Sequence, residues 1–235
     1  MAQSPSLLLV AHGTREAAGP AVIERIAAAV QRRIGVDVRV AYVDVIGPTV
    51  AEALAAIRGP AVVVPAFLAA GYHVRHDLPA QIRNSRRGDE VVVTAALGPS
   101  PGLALAMGRR LHAAGWRRGD RVVFAAAGSS DPHALTEVAT AADLLGRMLS
   151  PTGPALTPTY ITTASPSTSE LLAQPGPTDR PTLIVPYLLA PGRFHQWLQE
   201  LGTDAVAEPI GAHPHVVELI VQRYRSAIRG YTCAV

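Results

Sequence analysis

Four blocks of this 235-residue chain recur, in the same order, in its second half. LLLVAHGTRE (7–16) is answered by VVFAAAGSSD (122–131), and YVDVIGPTVAEAL (42–54) by YITTASPSTSELL (160–172). VVVPAFLAAG (62–71) is answered by LIVPYLLAPG (183–192), and LGPSPGLALAMGRR (97–110) by IGAHPHVVELIVQR (210–223). The step between partners is nearly constant, so whatever one half folds into, the other half builds again. A chain of this length makes one large domain or two small ones. The repeat selects two, 1–117 and 118–235.

Within each half, apolar β-branched runs alternate with helical stretches. In the first, residues 6–11, 36–45, 61–67 and 91–95 read as strands, and 16–34, 49–57, 78–87 and 101–114 as helices. The short, continuous apolar runs predict parallel sheets covered by helices on both faces. The expected fold class is therefore α/β: two similar domains, each a parallel sheet flanked by helices, related by internal duplication. Ser150–Pro158 and Gln174–Pro181 are rich in Pro, Gly and Thr and read as loops.

Composition removes several kinds of chemistry. Hydrophobic residues make up 49% and charged residues 17%, a globular balance. The single cysteine, Cys233, excludes an internal disulfide framework and any cysteine-built metal site. All 21 basic residues are Arg, so neither Schiff-base chemistry nor a P-loop lysine is available. Aromatics at 5% argue against a stacking platform for nucleic acid. No apolar run reaches the ~18 residues of a membrane span, and Met1–Ser6 lacks a charged leader. A cytoplasmic protein without nucleic-acid or membrane partners is expected. Residues 1–118 carry 14 Arg against 8 acids, and the remainder 7 Arg against 10. The basic half suits an acidic partner, although a solvated surface would look the same.

Ligands of open parallel sheets bind beyond the carboxyl ends of the strands. His12 directly follows the first strand and His73 the third. A doubly wound sheet brings those two strand ends together, and with them two imidazoles. Imidazole suits divalent iron, cobalt, nickel and zinc, and a pair without thiolate makes an open site, fit for an ion that is passed on. Gly13 and Gly71 would admit a ligand close to the backbone. A helix starting near Thr14 would offer N–H groups to a carboxylate. His76 is a candidate for outer support of the pair, whereas Asp77 reads as a helix cap. His112 and His133 read as surface residues. In the second half Ala127 stands where His12 would be, and Phe194 answers His73, with His195 beside it. His195 and His213 are candidate supporting groups; His213-Pro214-His215 either caps the last helix or lines the site.

The HGT tripeptide at 12–14, PTVAEAL at 48–54 and above all PAFLAAGYHVRHDLP at 65–79 resemble the class II sirohydrochlorin chelatases, in their long two-domain form. These are ATP-independent iron and cobalt chelatases of sirohaem and cobalamin synthesis. The resemblance implies a lyase-type enzyme that inserts Fe2+ or Co2+ into sirohydrochlorin or a related tetrapyrrole, with no ATP and no organic cofactor. It implies His12 and His73 as catalytic and metal-binding residues. Gly13, Thr14 and Gly71, with Arg15, Arg75 and Arg193 as forks for the ring's carboxylates, would hold the substrate. With both halves in one chain, a monomer is expected ahead of a homodimer. Two rivals exist. Histidine phosphatases place Arg immediately before their His, where this chain has Ala11. A non-enzymatic metal or tetrapyrrole carrier would need the same two histidines.

Overall fold

The computed structural model describes residues 4–175 and 179–232. Cys233 lies outside them, as does part of the loop expected over 174–181. The chain forms two compact units: residues up to Leu97 together with those from Val216 on, and Gly98–His215.

The first unit is built on a four-stranded parallel sheet in the order β2–β1–β3–β4. These strands are β1 (Ser6–Ala11), β2 (Val38–Tyr42), β3 (Ala61–Pro65) and β4 (Val91–Val93). Leu7, Leu8, Leu9 and Val10 on β1, and Val62, Val63 and Val64 on β3, are all fully buried. That is why these runs show no alternation: both of their faces are covered. The helix α1 (Ala18–Ile34) turns Val22, Ile23, Ile26, Ala27 and Val30 inward at helical spacing. The helix α2 (Val50–Ala56) opens with a capping box, in which Thr49 accepts from Glu52 N–H and Glu52 accepts from Thr49 N–H. It packs with α3 (Leu78–Asn84) through Val50, Leu54, Leu78 and Ile82 against Leu8, Val10 and Val63.

The second unit repeats the plan, with parallel strands in the order β6–β5–β7–β8. These are β5 (Arg121–Ala126), β6 (Pro158–Tyr160), β7 (Thr182–Tyr187) and β8 (Ala205–Val206). Its helices are α4 (Pro101–Ala113), α5 (Pro132–Leu149), α6 (Thr168–Ala173) and α7 (Arg193–Gln199). The helix α6 carries the same capping box, from Ser167 and Glu170.

The border expected at 117/118 is not where the compact units divide. The helix α4, which closes the first repeat, packs on α5 and β7 of the second unit. The last helix, α8 (Pro214–Thr232), belongs from Val216 on to the first unit. There Glu218 pairs with Arg33 at 2.7 Å, Tyr224 Oη donates to the Pro5 carbonyl at 2.6 Å, and Arg223 donates to Ala96 O at 3.1 Å. The two repeats thus exchange their final helices: α4 packs within the second unit, and α8 from Val216 on within the first.

Smaller differences bear on the site. The helix α1 begins at Ala18 rather than Glu16. The strand β2 ends at Tyr42, because Ile46 N–H bonds Asp44 O at 2.8 Å and throws Val45 to φ 69. That is a γ-turn with a β-branched residue in the left-handed region, a strained arrangement. The second unit has the same turn, with Ala164 N–H on Thr162 O and Thr163 at φ 64.

Candidate metal centre

The order β2–β1–β3–β4 reverses direction between β1 and β3, which pair with Val10 opposite Pro65. A crevice opens at such a switch point, beyond the carboxyl ends of the two strands. His12 leaves β1 there. Its loop is pinned by Val43 N–H on Ala11 O and Asp44 N–H on His12 O, both 3.0 Å. Gly13 has φ +100, and a Cβ at this position would run into the Asp44 carbonyl oxygen. Only glycine lets the chain turn so close to the strained Asp44–Ile46 segment.

His73 approaches from the β3 side. It opens a π-helical turn, His73–Asp77, in which Leu78 N–H reaches back to His73 O. Such turns recur at functional sites. The Nε2 atoms of His12 and His73 lie 3.1 Å apart, their rings edge to face with centroids 4.5 Å apart. Phe67 stacks on His73 at 6.4 Å, and Tyr72, 62% exposed, meets it edge-on at 6.2 Å. The two outer nitrogens face acceptors: His12 Nδ1 donates to Gly13 O at 2.9 Å, and His73 Nδ1 to Asp77 Oδ2 at 2.6 Å.

A single ion bound about 2.1 Å from both Nε2 atoms, the usual metal–imidazole length, would subtend about 95° at this 3.1 Å separation. That suits two neighbouring positions of a tetrahedral or octahedral ion and leaves the others to water or an incoming ligand. Among the described residues, no group of three or more His, Cys, Asp or Glu is placed to hold a metal.

The other expected site residues divide. Thr14 does not lie at a helix start; its Oγ1 accepts from Glu16 N–H at 3.2 Å, four residues before α1 begins. Gly71 starts the turn that carries His73, its carbonyl accepting from Val74 and Arg75. Arg15 is exposed, and Arg75 donates through Nε to Ala70 O at 2.9 Å. His76 contacts Tyr72, with ring centroids 4.8 Å apart. Asp77 is not a cap: it has helical backbone angles, makes no capping bond, and gives its carboxylate to His73 instead. The H-x-x-x-D spacing was visible in the sequence, but its meaning depends on the π-helical turn that puts both ends on one face.

In the second unit the loop geometry survives without the chemistry. Gly128 matches Gly13 in conformation, and Thr162 N–H bonds Ala127 O as Asp44 N–H bonds His12 O. Arg193 opens α7 and is exposed. His195, expected as a supporting group, is instead a core residue: it is 5% exposed, and its Nε2 bonds the Ala207 carbonyl at 3.2 Å. His213 stacks on His215 and accepts from the latter's N–H through Nδ1, as a cap of α8 would. Burial, aided by His215 and Arg110, holds its pKa below the ordinary 6.5.

Fold and site together define a duplicated α/β protein with an imidazole pair at the switch point of one sheet only. The CbiX family model matches this chain twice, over residues 6–114 and 121–227. The chain belongs to the CbiX family. It is 30% identical over 176 residues to the sirohydrochlorin ferrochelatase of Bacillus subtilis (strain 168), covering 69% of this chain and 67% of that one. Its fold is similar to that of SirB from Bacillus subtilis with Fe3+, at a TM-score of 0.79 and 24% identity over 95% of both chains. It is also similar to SirB from Bacillus subtilis subspecies spizizenii in complex with cobalt, at a TM-score of 0.74 and 23% identity over 95% of this chain and 94% of that one.

Proposed function

We propose that this protein is a lyase-type chelatase that inserts a divalent ion, Fe2+ or Co2+, into sirohydrochlorin or a related tetrapyrrole. The observation that carries the reading is the 3.1 Å approach of the His12 and His73 Nε2 atoms at the switch point of the first sheet. The family and the name of the curated relative supply the substrate class. Insertion exchanges two pyrrole N–H protons for one ion. The imidazole pair first takes the place of water on the ion. As the ion moves to the ring, the Nε2 lone pairs are freed beside the two nitrogens that must lose their protons; one imidazole accepts a proton and passes it to water, and the second proton leaves by the same route. No nucleotide is consumed in this exchange, and a chain without lysine has no P-loop to bind one. Arg15 and Arg75, near the pair in sequence, meet the ring's carboxylates. The protein works as a monomer in the cytoplasm.

The test is an anaerobic assay with sirohydrochlorin and Fe2+ or Co2+, followed by absorbance. His12→Ala and His73→Ala should each lower the insertion rate about 10²–10⁴-fold, the range for losing a general base, with little change in melting temperature. Parental rates in both variants would refute the assignment. A parental protein no faster than the uncatalysed reaction would make it a carrier.

A further inference from the structure

Donor and acceptor bookkeeping around the pair leads one step further. A carboxylate and a backbone carbonyl can only accept hydrogen bonds. Asp77 Oδ2 lies 2.6 Å from His73 Nδ1, and Gly13 O lies 2.9 Å from His12 Nδ1, so both Nδ1 atoms carry hydrogen. A neutral imidazole has one N–H. Both Nε2 atoms are then left with bare lone pairs that face each other at 3.1 Å. Two lone pairs at that distance repel, and either a shared proton or a metal ion held by both relieves them.

We propose that Asp77 is a positioning residue, which locks His73 as the Nδ1–H tautomer and so aims its Nε2 lone pair, beside that of His12, at the divalent ion. The proposal rests on the chelatase reading given above. Asp77 is not itself a ligand of that ion, because its carboxylate holds the side of the ring opposite Nε2. Its hydrogen bond also makes Nε2 a stronger donor to metal.

The second unit supplies an independent observation. In the register that sets Pro65 against Pro186, His73 corresponds to Phe194 and Asp77 to Leu198. Leu198 is fully buried in the apolar cluster with Val123, Ala125 and Ile184. If the carboxylate served the helix start, the second copy of that helix would need one too. It has none; where the imidazole is missing, its carboxylate is missing as well.

The experiment reads the tautomer and the ion separately, on the full chain. In the metal-free parent at mildly alkaline pH, 15N spectra of labelled histidine should show His73 protonated on Nδ1 and bare on Nε2. In Asp77→Ala a large Nε2–H population should appear, and calorimetry with Co2+ alone should give an affinity about 10–100-fold lower. Asp77→Asn, which still accepts through its amide oxygen, should keep the tautomer and recover most of the affinity. A parent His73 protonated on Nε2, or an Asp77→Ala protein that keeps both tautomer and affinity, overturns the proposal. His73→Ala and His12→Ala run alongside: if they lose Co2+ while Asp77→Ala does not, Asp77 alone is misassigned. If they bind as the parent does, the metal centre itself is wrong.

Discussion

At Gly13 and Gly128 the chain makes the same turn twice, with φ +100 and +105 and a neighbouring carbonyl where a Cβ would go. Gly13→Ala and Gly128→Ala should therefore each cost about 1–3 kcal/mol, as forced residues in this region do, measured by urea unfolding. They should part company in Co2+ calorimetry. Gly13→Ala displaces His12 and weakens binding, whereas Gly128→Ala, beside Ala127, leaves binding unchanged. The imidazole pair itself was legible from residues 12 and 73, because each follows a buried strand and adjacent strands share an edge. The partner of His73 was not. Asp77 before Leu78-Pro79 has the sequence of a cap, and nothing in it shows that His73–Asp77 wind as a π-helical turn. His195 misled in the other direction: adjacency to Phe194 put it near the site, but α7 turns it inward to Ala207.

Among the elements, α2 and α6 each start with a capping box. Thr49→Ala and Ser167→Ala should each destabilise by about 1 kcal/mol at neutral pH, read from denaturant midpoints. Hydrogen bonds from Thr49 and Ser167 hold the Glu52 and Glu170 carboxylates below the ordinary 4.5. As pH falls the unfolded chain therefore takes up these protons first. The contribution of each box is full above that range and fades as pH drops through the folded value. The gap between the parent and each variant should accordingly narrow in acid. For His213 the sign is the same: its pKa is lowered in the folded state, so its neutral form contributes above 6.5 and loses ground below it. Element types were read correctly from apolar periodicity, because buried parallel strands and amphipathic helices leave different patterns. Their ends were not, since β2 is cut short by the γ-turn at Val45, a backbone conformation that valine does not announce.

In the whole molecule, the duplication was plain in the repeated blocks, but the exchange of last helices was not. A repeat marks what was copied, whereas packing decides which sheet an apolar helix covers. Ile220 on α8 is fully buried and belongs to the first unit. Ile220→Ala should cost about 2–5 kcal/mol, and hydrogen exchange should quicken in β1–β4 rather than β5–β8. The reverse pattern would place α8 with the second unit. The account as a whole stands on the pairing of His12 and His73 around the ion to be inserted. Anomalous diffraction at the cobalt edge, from crystals soaked in Co2+, tests this most directly. One cobalt bound to both Nε2 atoms at about 2.1 Å is the predicted result; cobalt bound elsewhere, with the two rings still facing each other and empty, would contradict it.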